Sequence, residues 1–169
     1  SVKANGNLAI LKLLVRQGAG LDIVSGGELY KARQAGCPAS RIVFASVGKR
    51  PEEIRDALRA GICCFNVESA SELEAINRIA GTMRRRAPVA LRVNPDVEAH
   101  THRYITTGVA ETKFGIDLKT AKTLVRRHRE FPHLDLLGVH LHIGSQITQA
   151  RPFMEAIRRV SDVILAGRR

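Results

Sequence analysis

Residues 138–146, Gly-Val-His-Leu-His-Ile-Gly-Ser-Gln, carry three side chains that could take part in chemistry. The segment is typical of a short buried strand, and side chains alternate between the faces of a strand, so His140 and His142 share one face. Two imidazoles in that position could ligate a metal, but no third or fourth ligand is apparent. Ser145 follows in a Gly-Ser turn whose hydroxyl and backbone N–H groups could bind an anion. The segment therefore predicts one wall of a site.

Five further side chains stand at or near the ends of predicted strands. Lys3 follows a first short strand, and a lysine amine that is desolvated can attack a carbonyl carbon; a plain surface charge is the alternative. Asp22 and Arg92 point inward and could form a buried pair, which would either orient other groups or be purely structural. Asn66 and Glu68 have the same two interpretations.

Short apolar segments alternate with amphipathic ones along the chain, and strands are predicted to end near residues 4, 25, 46, 68, 94 and 143. Each connection is long enough for a helix, which indicates repeated β/α units and a parallel sheet. Residues typical of helix starts precede or open the amphipathic segments: Asn7, Ser25, Pro51, Ser69 with Glu72, and Asp117.

The expected fold class is α/β, a (β/α)8 barrel of the TIM type that is incomplete here, with about six β/α units. A doubly wound open sheet is the alternative, and its strands would be apolar on both faces. The inward polar residues near the strand ends favour the barrel, because the chemistry of such barrels gathers at the carboxyl ends of the strands.

The composition bears on possible partners. The 169 residues are 44% apolar and carry a formal charge of +11, yet no apolar run approaches the ~20 residues of a membrane-crossing helix. Arginines are spread over the predicted helices, with dense clusters only at 84–86 and 126–129, and aromatic residues for base stacking make up 4%. We therefore expect neither a membrane nor a nucleic acid as a partner.

The three cysteines, Cys37, Cys63 and Cys64, follow no metal-ligand spacing. An odd count with two adjacent members is a poor framework for disulfides. We expect free thiols in a reducing cytoplasm and no metal site; zinc binding by cysteines and histidines is the alternative. The long polar segment 95–115 predicts a lid or a subunit contact.

Seven motifs follow one another along the chain: Ser1-Val-Lys-Ala-Asn5, Asp22-Ile-Val-Ser-Gly-Gly-Glu-Leu29, Phe65-Asn-Val-Glu-Ser69, Leu91-Arg-Val-Asn-Pro95, His100-Thr-His with Thr107-Gly108, Lys113-Phe-Gly-Ile116, and His142-Ile-Gly-Ser-Gln146. In this order and spacing they resemble the fold-type III pyridoxal-phosphate decarboxylases, and among them the diaminopimelate decarboxylases. The resemblance covers essentially the whole chain.

The resemblance implies roles for individual residues. Lys3 matches the lysine that binds the cofactor aldehyde, His142 the histidine that stacks on the pyridine ring, and Ser145 the serine that binds the phosphate. Asp22 and Arg92 match polar residues under and beside the cofactor. Lys3 and His142 are thus the implied catalytic residues, and all five are implied to bind pyridoxal 5'-phosphate.

The implied reaction is decarboxylation of meso-2,6-diaminopimelate to L-lysine and CO2, carried out by a cytoplasmic homodimer that binds a small amino-acid substrate. The alternatives are a related decarboxylase that acts on arginine, ornithine or carboxynorspermidine, and a truncated non-catalytic scaffold. The chain has no initiating Met, and we expect residues 1–169 to be a partial barrel domain that lacks the C-terminal barrel units and the β-domain. Ser46 stands where relatives commonly have glycine.

Overall fold

The structure, a computed structural model, describes residues 1–97, 114–145 and 147–167. These ranges contain six α-helices and six strands. The helices are α1 (Leu8–Arg16), α2 (Gly26–Gln34), α3 (Pro51–Ala60), α4 (Ala70–Thr82), α5 (Leu118–Arg126) and α6 (Arg151–Ala166). The strands are β1 (Leu21–Ile23), β2 (Ile42–Phe44), β3 (Cys64–Val67), β4 (Ala87–Asn94), β5 (Ile116–Asp117) and β6 (Leu134–His140).

The helices begin where side chains can bind their free backbone N–H groups. Asn7 accepts hydrogen bonds from the first turn of α1, Ser25 and Ser69 do the same for α2 and α4, and Asp117 caps α5. Pro51 opens α3, where a missing N–H costs nothing. The helix starts predicted from the sequence are confirmed.

The strands form one parallel sheet in the order β1-β2-β3-β4, with β6 beside β4 and the short β5 paired to the end of β4. Within the described ranges β1 and β6 are not paired to each other, so the described sheet is open at both edges. That further β/α units close it stays a prediction.

Strand β4 shows how each face of the sheet is used. Ala87, Val89, Leu91 and Val93 are at most 1% exposed and belong to the apolar core beneath the helices. Burying a valine or leucine side chain fully contributes roughly 1.5–3 kcal/mol. The alternate residues of β4, which include Arg92, are only half-buried and lie on the opposite face. This one-sided apolar pattern is the one predicted for a barrel.

The strand predicted at the N-terminus is not formed. Val2 is buried and donates one backbone hydrogen bond to Asp22 at 2.9 Å, but Ala4 turns back to bond Ser1. A strand needs a ladder of such bonds, and a single one fixes only Val2. The two-residue strand β5, which the sequence did not indicate, brings the number of described strands to six.

Strand β6 begins and ends earlier than predicted and is less buried. It ends at His140, and Leu134 is its only fully buried residue, whereas Leu137 is exposed. The reason is that β6 has a described partner, β4, on one side only.

The predicted lid or subunit contact falls mainly on residues 98–113, which lie outside the described residues. None of the described helices has the length and apolar character needed to cross a membrane.

Candidate functional site

Glu68 and Arg92 form a shielded ion pair where β3 and β4 end. Arg92 Nη1 lies 2.7 Å from one carboxylate oxygen of Glu68 and 2.9 Å from the other. The Glu68 side chain is 3% exposed and that of Arg92 15%. The guanidinium carbon also lies 5.7 Å from the centre of the Phe114 ring. Glu68 thus fixes where the positive charge of Arg92 stands.

The predicted pair between Asp22 and Arg92 is therefore wrong. The register of the sheet places Val67 opposite Leu91, which brings the next residue, Glu68, level with Arg92. Asp22 lies on β1, and β2 and β3 separate it from β4. Its Oδ1 atom is buried and has no hydrogen-bond partner among the described residues.

His140 stands directly opposite Arg92 in the pairing of β6 with β4. Its Nδ1 atom is buried and, like Asp22 Oδ1, has no partner in the described part of the chain. Burial lowers the pKa of His140 below its ordinary 6.5, and the charges of Arg92 and His142 lower it further, against the opposite effect of Glu68 and Asp22. Burial and the neighbouring Arg92 charge thus disfavour the protonated form of the His140 ring.

Lys3 is placed by its neighbour. The hydrogen bond from Val2 N–H to the Asp22 carbonyl holds this segment beside β1, and Lys3 follows with an exposed side chain. An exposed amine next to the carboxyl end of a strand is accessible to a carbonyl compound.

His142 and Ser145 lie beyond the end of β6 and are exposed. Gly144 between them has φ +130°, a conformation that favours glycine and turns the chain sharply. Among the described residues, no hydrogen bond or ion pair joins Lys3, His142 or Ser145 to one another or to Arg92. The structure thus pairs Glu68 with Arg92 and places His140 beside Arg92, whereas Lys3, His142 and Ser145 make no described bond to this group.

A buried lysine is the main residue that the sequence did not reveal. The Lys49 side chain is 0% exposed, and its ammonium donates to Glu72 Oε1 at 2.6 Å, the Ser46 carbonyl at 2.8 Å and the Asn66 carbonyl at 2.7 Å. Burial lowers the pKa of Lys49, and the attraction of Glu72 opposes the shift. The position of Lys49 in a turn after a predicted strand end was the available signal.

Glu72 goes beyond its predicted role in a capping box. Ser69 Oγ accepts from the Glu72 N–H at 3.1 Å, as predicted. The Glu72 carboxylate, however, accepts from the Glu68 N–H at 2.9 Å, one residue before the cap, and from Lys49. Burial raises the pKa of Glu72, and the Lys49 charge counteracts the rise.

The turn that carries Lys49 has an unusual backbone. Ser46 has φ +143°, a conformation that L side chains rarely adopt, and its Oγ accepts from the Gly48 N–H at 3.2 Å. Such strain costs of order 1–3 kcal/mol and persists only where surrounding contacts enforce it. Here the Lys49 bond to the Ser46 carbonyl is one such contact.

Metal binding by the two histidines finds no support in this geometry. Residues 1–97, 114–145 and 147–167 contain no group of three or more His, Cys, Asp or Glu side chains that could hold a metal ion.

Comparison with known proteins gives consistent matches. The family described as "Pyridoxal-dependent decarboxylase, pyridoxal binding domain" matches residues 1–168. The diaminopimelate decarboxylase of Pseudomonas aeruginosa is 49% identical over 170 residues, which cover 99% of this chain and 41% of that protein. That of Aquifex aeolicus is 49% identical over 160 residues, or 95% of this chain and 38% of its own length.

A solved structure supports the same grouping. The diaminopimelate decarboxylase from Helicobacter pylori, complexed with L-lysine, superposes with a TM-score of 0.90 at 41% identity and covers 98% of this chain and 42% of that one. The predicted barrel class and the resemblance to this group are confirmed. The chain belongs to the pyridoxal-dependent decarboxylases and matches their pyridoxal binding domain.

Proposed function

We propose that the whole protein catalyses the pyridoxal-phosphate-dependent decarboxylation of meso-2,6-diaminopimelate to L-lysine and CO2. The observation that carries the proposal is the 49% identity to a diaminopimelate decarboxylase over 99% of this chain. The similar Helicobacter pylori structure is a complex with L-lysine, the product of this reaction. Because the chain spans only 41% of the length of the Pseudomonas relative, the activity is proposed for the whole protein.

The residues present fit this cofactor. Two buried polar atoms, Asp22 Oδ1 and His140 Nδ1, have no partner among the described residues, which is expected where a polar ligand completes the site. Lys3 offers an exposed amine, and Ser145 an exposed hydroxyl beside the Gly144 turn. An amine suits an aldehyde, and a hydroxyl with neighbouring backbone N–H groups suits a phosphate.

We assign the cofactor to Lys3, Asp22, Arg92, His142 and Ser145. When bound, pyridoxal phosphate supplies an electron sink for the electron pair of the carbon–carbon bond that breaks as the substrate carboxylate leaves as CO2. Lys3 would hold the cofactor through its aldehyde group, and its Nζ atom would hold or return a proton during the reaction. The His142 ring would pack against the pyridine ring, and the Ser145 hydroxyl would donate to the phosphate.

Arg92 and Asp22 set the charge of the interior. Glu68 orients Arg92, so the guanidinium stands in a fixed position beside His140. Asp22 presents a carboxylate oxygen that can accept a hydrogen bond from a ligand. Both groups are held by strands, which keeps their positions precise.

Spectroscopy of cofactor binding tests the assignment. Pyridoxal phosphate added to the whole protein is expected to give the absorbance of a lysine-bound aldehyde, more weakly in the 169-residue chain, and Lys3→Ala should abolish it. Lys12→Ala, which alters an exposed lysine on α1, is the matched control and should leave it intact. A band that survives Lys3→Ala would contradict the role of Lys3.

The substrate is tested by CO2 release. We expect release from meso-diaminopimelate and at most a trace from arginine, ornithine or carboxynorspermidine. Preference for one of the latter would replace the proposed substrate, and no release from any with cofactor bound would favour a scaffold.

We also propose that the whole protein is a homodimer in the cytoplasm. The three cysteines are free thiols, as expected in a reducing compartment. Sedimentation analysis and cell fractionation test these two points.

A further inference from the structure

Where the backbone pairing of β2 with β3 ends, the ammonium of Lys49 bonds to backbone carbonyls of both chain segments. Backbone pairing of these strands runs to Phe44 opposite Phe65. Just beyond that point, the ammonium binds the carbonyl of Ser46, which follows β2, and that of Asn66 within β3. One side chain thus holds both strand ends together.

All hydrogen-bonding capacity of this ammonium is used inside the protein. An ammonium has three donors, and Lys49 has three acceptors: two carbonyls and the Glu72 carboxylate. With its side chain 0% exposed, no donor remains for a substrate or cofactor. Lys49 therefore cannot be a ligand-binding residue itself.

The bonds continue from Lys49 to the ion pair of the site. Glu72 binds Lys49 with one carboxylate oxygen and the Glu68 N–H with the other. The Glu68 side chain then holds Arg92, which stands opposite His140. Glu72 thus holds the backbone N–H of Glu68, and Arg92 binds the Glu68 carboxylate.

We propose that Lys49 and Glu72 are positioning residues of the site: they fix Glu68 at the end of β3 and, through it, the guanidinium of Arg92 beside His140. The inference rests on the proposed function, because Arg92 is one of the residues assigned to the cofactor. A buried ion pair is seldom the most stabilising choice for such a position, whereas it can specify a unique arrangement.

The chain contains a matched control. Glu28 occupies the same place in α2 that Glu72 occupies in α4: its N–H binds the capping Ser25, and its carboxylate accepts from the Val24 N–H at 2.8 Å. Glu28 has no lysine partner among the described residues. Glu28→Gln therefore disturbs the same local geometry without touching Lys49.

The first measurement is an NMR titration of the His140 ring in the 169-residue chain without cofactor. Four groups act on this imidazole: Arg92 and His142 lower its pKa, and Glu68 and Asp22 raise it. Lys49 is not among them, and Lys49→Met/Glu72→Met removes both charges of its pair, so a change in the His140 pKa that both variants share reports movement of the Glu68–Arg92 ion pair. Since the Arg92 effect exceeds that of Glu68, we expect the pKa of His140 to rise.

The second measurement is the dissociation constant of pyridoxal phosphate from the whole protein. We expect Lys49→Met to raise it about tenfold, a typical size for loss of a coupled contact. Glu72→Gln, which can accept from only one of its two donors, should give a smaller change in the same direction. Glu28→Gln should change neither readout.

A double variant separates positioning from stability. In Lys49→Met the Glu72 carboxylate stays buried without its partner, and Lys49→Met/Glu72→Met removes that charge. We expect the double variant to regain stability while both readouts stay shifted. If Lys49→Met does not fold, Glu72→Gln and the double variant still decide the matter.

The outcomes are distinguishable. An unchanged pKa of His140 in folded Lys49→Met, Glu72→Gln and double variants would overturn the inference and leave a purely structural buried pair. If the unaltered whole protein binds no pyridoxal phosphate, the proposed function fails, whereas the His140 titration still tests positioning. A changed pKa of His140 with an unchanged dissociation constant for pyridoxal phosphate would overturn the claim that this positioning matters for cofactor binding.

Discussion

At the starts of α3 and α4 a glutamate accepts a backbone hydrogen bond in the same way, but the pKa values of the two glutamates shift in opposite directions. Glu53 and Glu72 each occupy the third position of their helix. Each carboxylate accepts one hydrogen bond from a backbone N–H just before its own helix and a second from the preceding β/α unit. For Glu53 the second donor is the Gly26 N–H, and for Glu72 it is the Lys49 ammonium. Yet the pKa of Glu53 is lowered and that of Glu72 is raised.

The exposure of the two glutamates does not explain the difference in pKa, because their side chains are 10% and 12% exposed. The burial of their partners explains it. Glu53 lies beside the 68% exposed Arg50, so the penalty of burial is outweighed by the donors of Arg50 and Gly26. Glu72 lies against a lysine with no exposure, and burial outweighs the attraction. The charge of a partner matters less than how far both groups are from water.

The largest effect is expected when the buried Lys49–Glu72 pair is broken. Lys49→Met should lower the free energy of unfolding by about 3–5 kcal/mol, because it leaves Glu72 buried and uncompensated. Urea denaturation at pH 7 measures this, and Lys49→Met/Glu72→Met should recover much of the loss. A loss below about 1 kcal/mol for the single variant would mean that Glu72 reaches water, contrary to the comparison.

The next effect is on the pH dependence and differs in sign between the two glutamates. The pKa of Glu53 is depressed in the folded state, so its contribution is present above the ordinary value of 4.5 and is lost as pH falls through the folded pKa. Glu53→Gln should lower the free energy of unfolding at pH 7 by about 2 kcal/mol and flatten its pH dependence below 4.5.

Glu72→Gln should act in the window above 4.5 instead. The raised pKa of Glu72 means that the folded state binds more protons there, so this group makes stability fall as pH rises. Removing the group should abolish that fall. Free energies from urea denaturation between pH 3 and pH 7 test both variants, and slopes of the same sign would refute the contrast.

The smallest effect concerns the turn before Lys49. Ser46→Gly should raise the free energy of unfolding by about 1 kcal/mol, because glycine adopts the φ of +143° without strain. Ser40→Gly, at a residue without a positive φ, is the control and should not stabilise the protein. Thermal denaturation followed by circular dichroism compares them. Destabilisation by Ser46→Gly would show that the Oγ bond to Gly48 outweighs the strain.

Local features of this fold could be predicted from the sequence. Helix starts at Asn7, Ser25, Ser69 and Asp117 depend on a side chain and the N–H groups two or three residues later, so the residue types indicate them. The parallel sheet followed from strands alternating with helices. The N-terminal strand was predicted wrongly because its partner bonds depend on contacts that the alternation does not encode.

The pairing of charges could not be predicted in the same way. Asp22 and Glu68 are both inward carboxylates, and only the register of β3 on β4 decides that Glu68 meets Arg92. Lys49 and Glu72 are 23 residues apart, and their contact depends on how two neighbouring β/α turns pack. The assigned roles of Lys3, His142 and Ser145 rest on the resemblance and stay predictions.

The complete shielding of Lys49 has a practical consequence for protein chemistry. Lys3 and Lys49 both stand near ends of described strands, but amine-reactive reagents can reach only Lys3 of the two, because Lys49 has no exposed side-chain surface and Lys3 is exposed. Peptide mapping after brief acylation should therefore recover modified Lys3 and unmodified Lys49. Competition between the reagent and a bound aldehyde then reports occupancy of Lys3 alone.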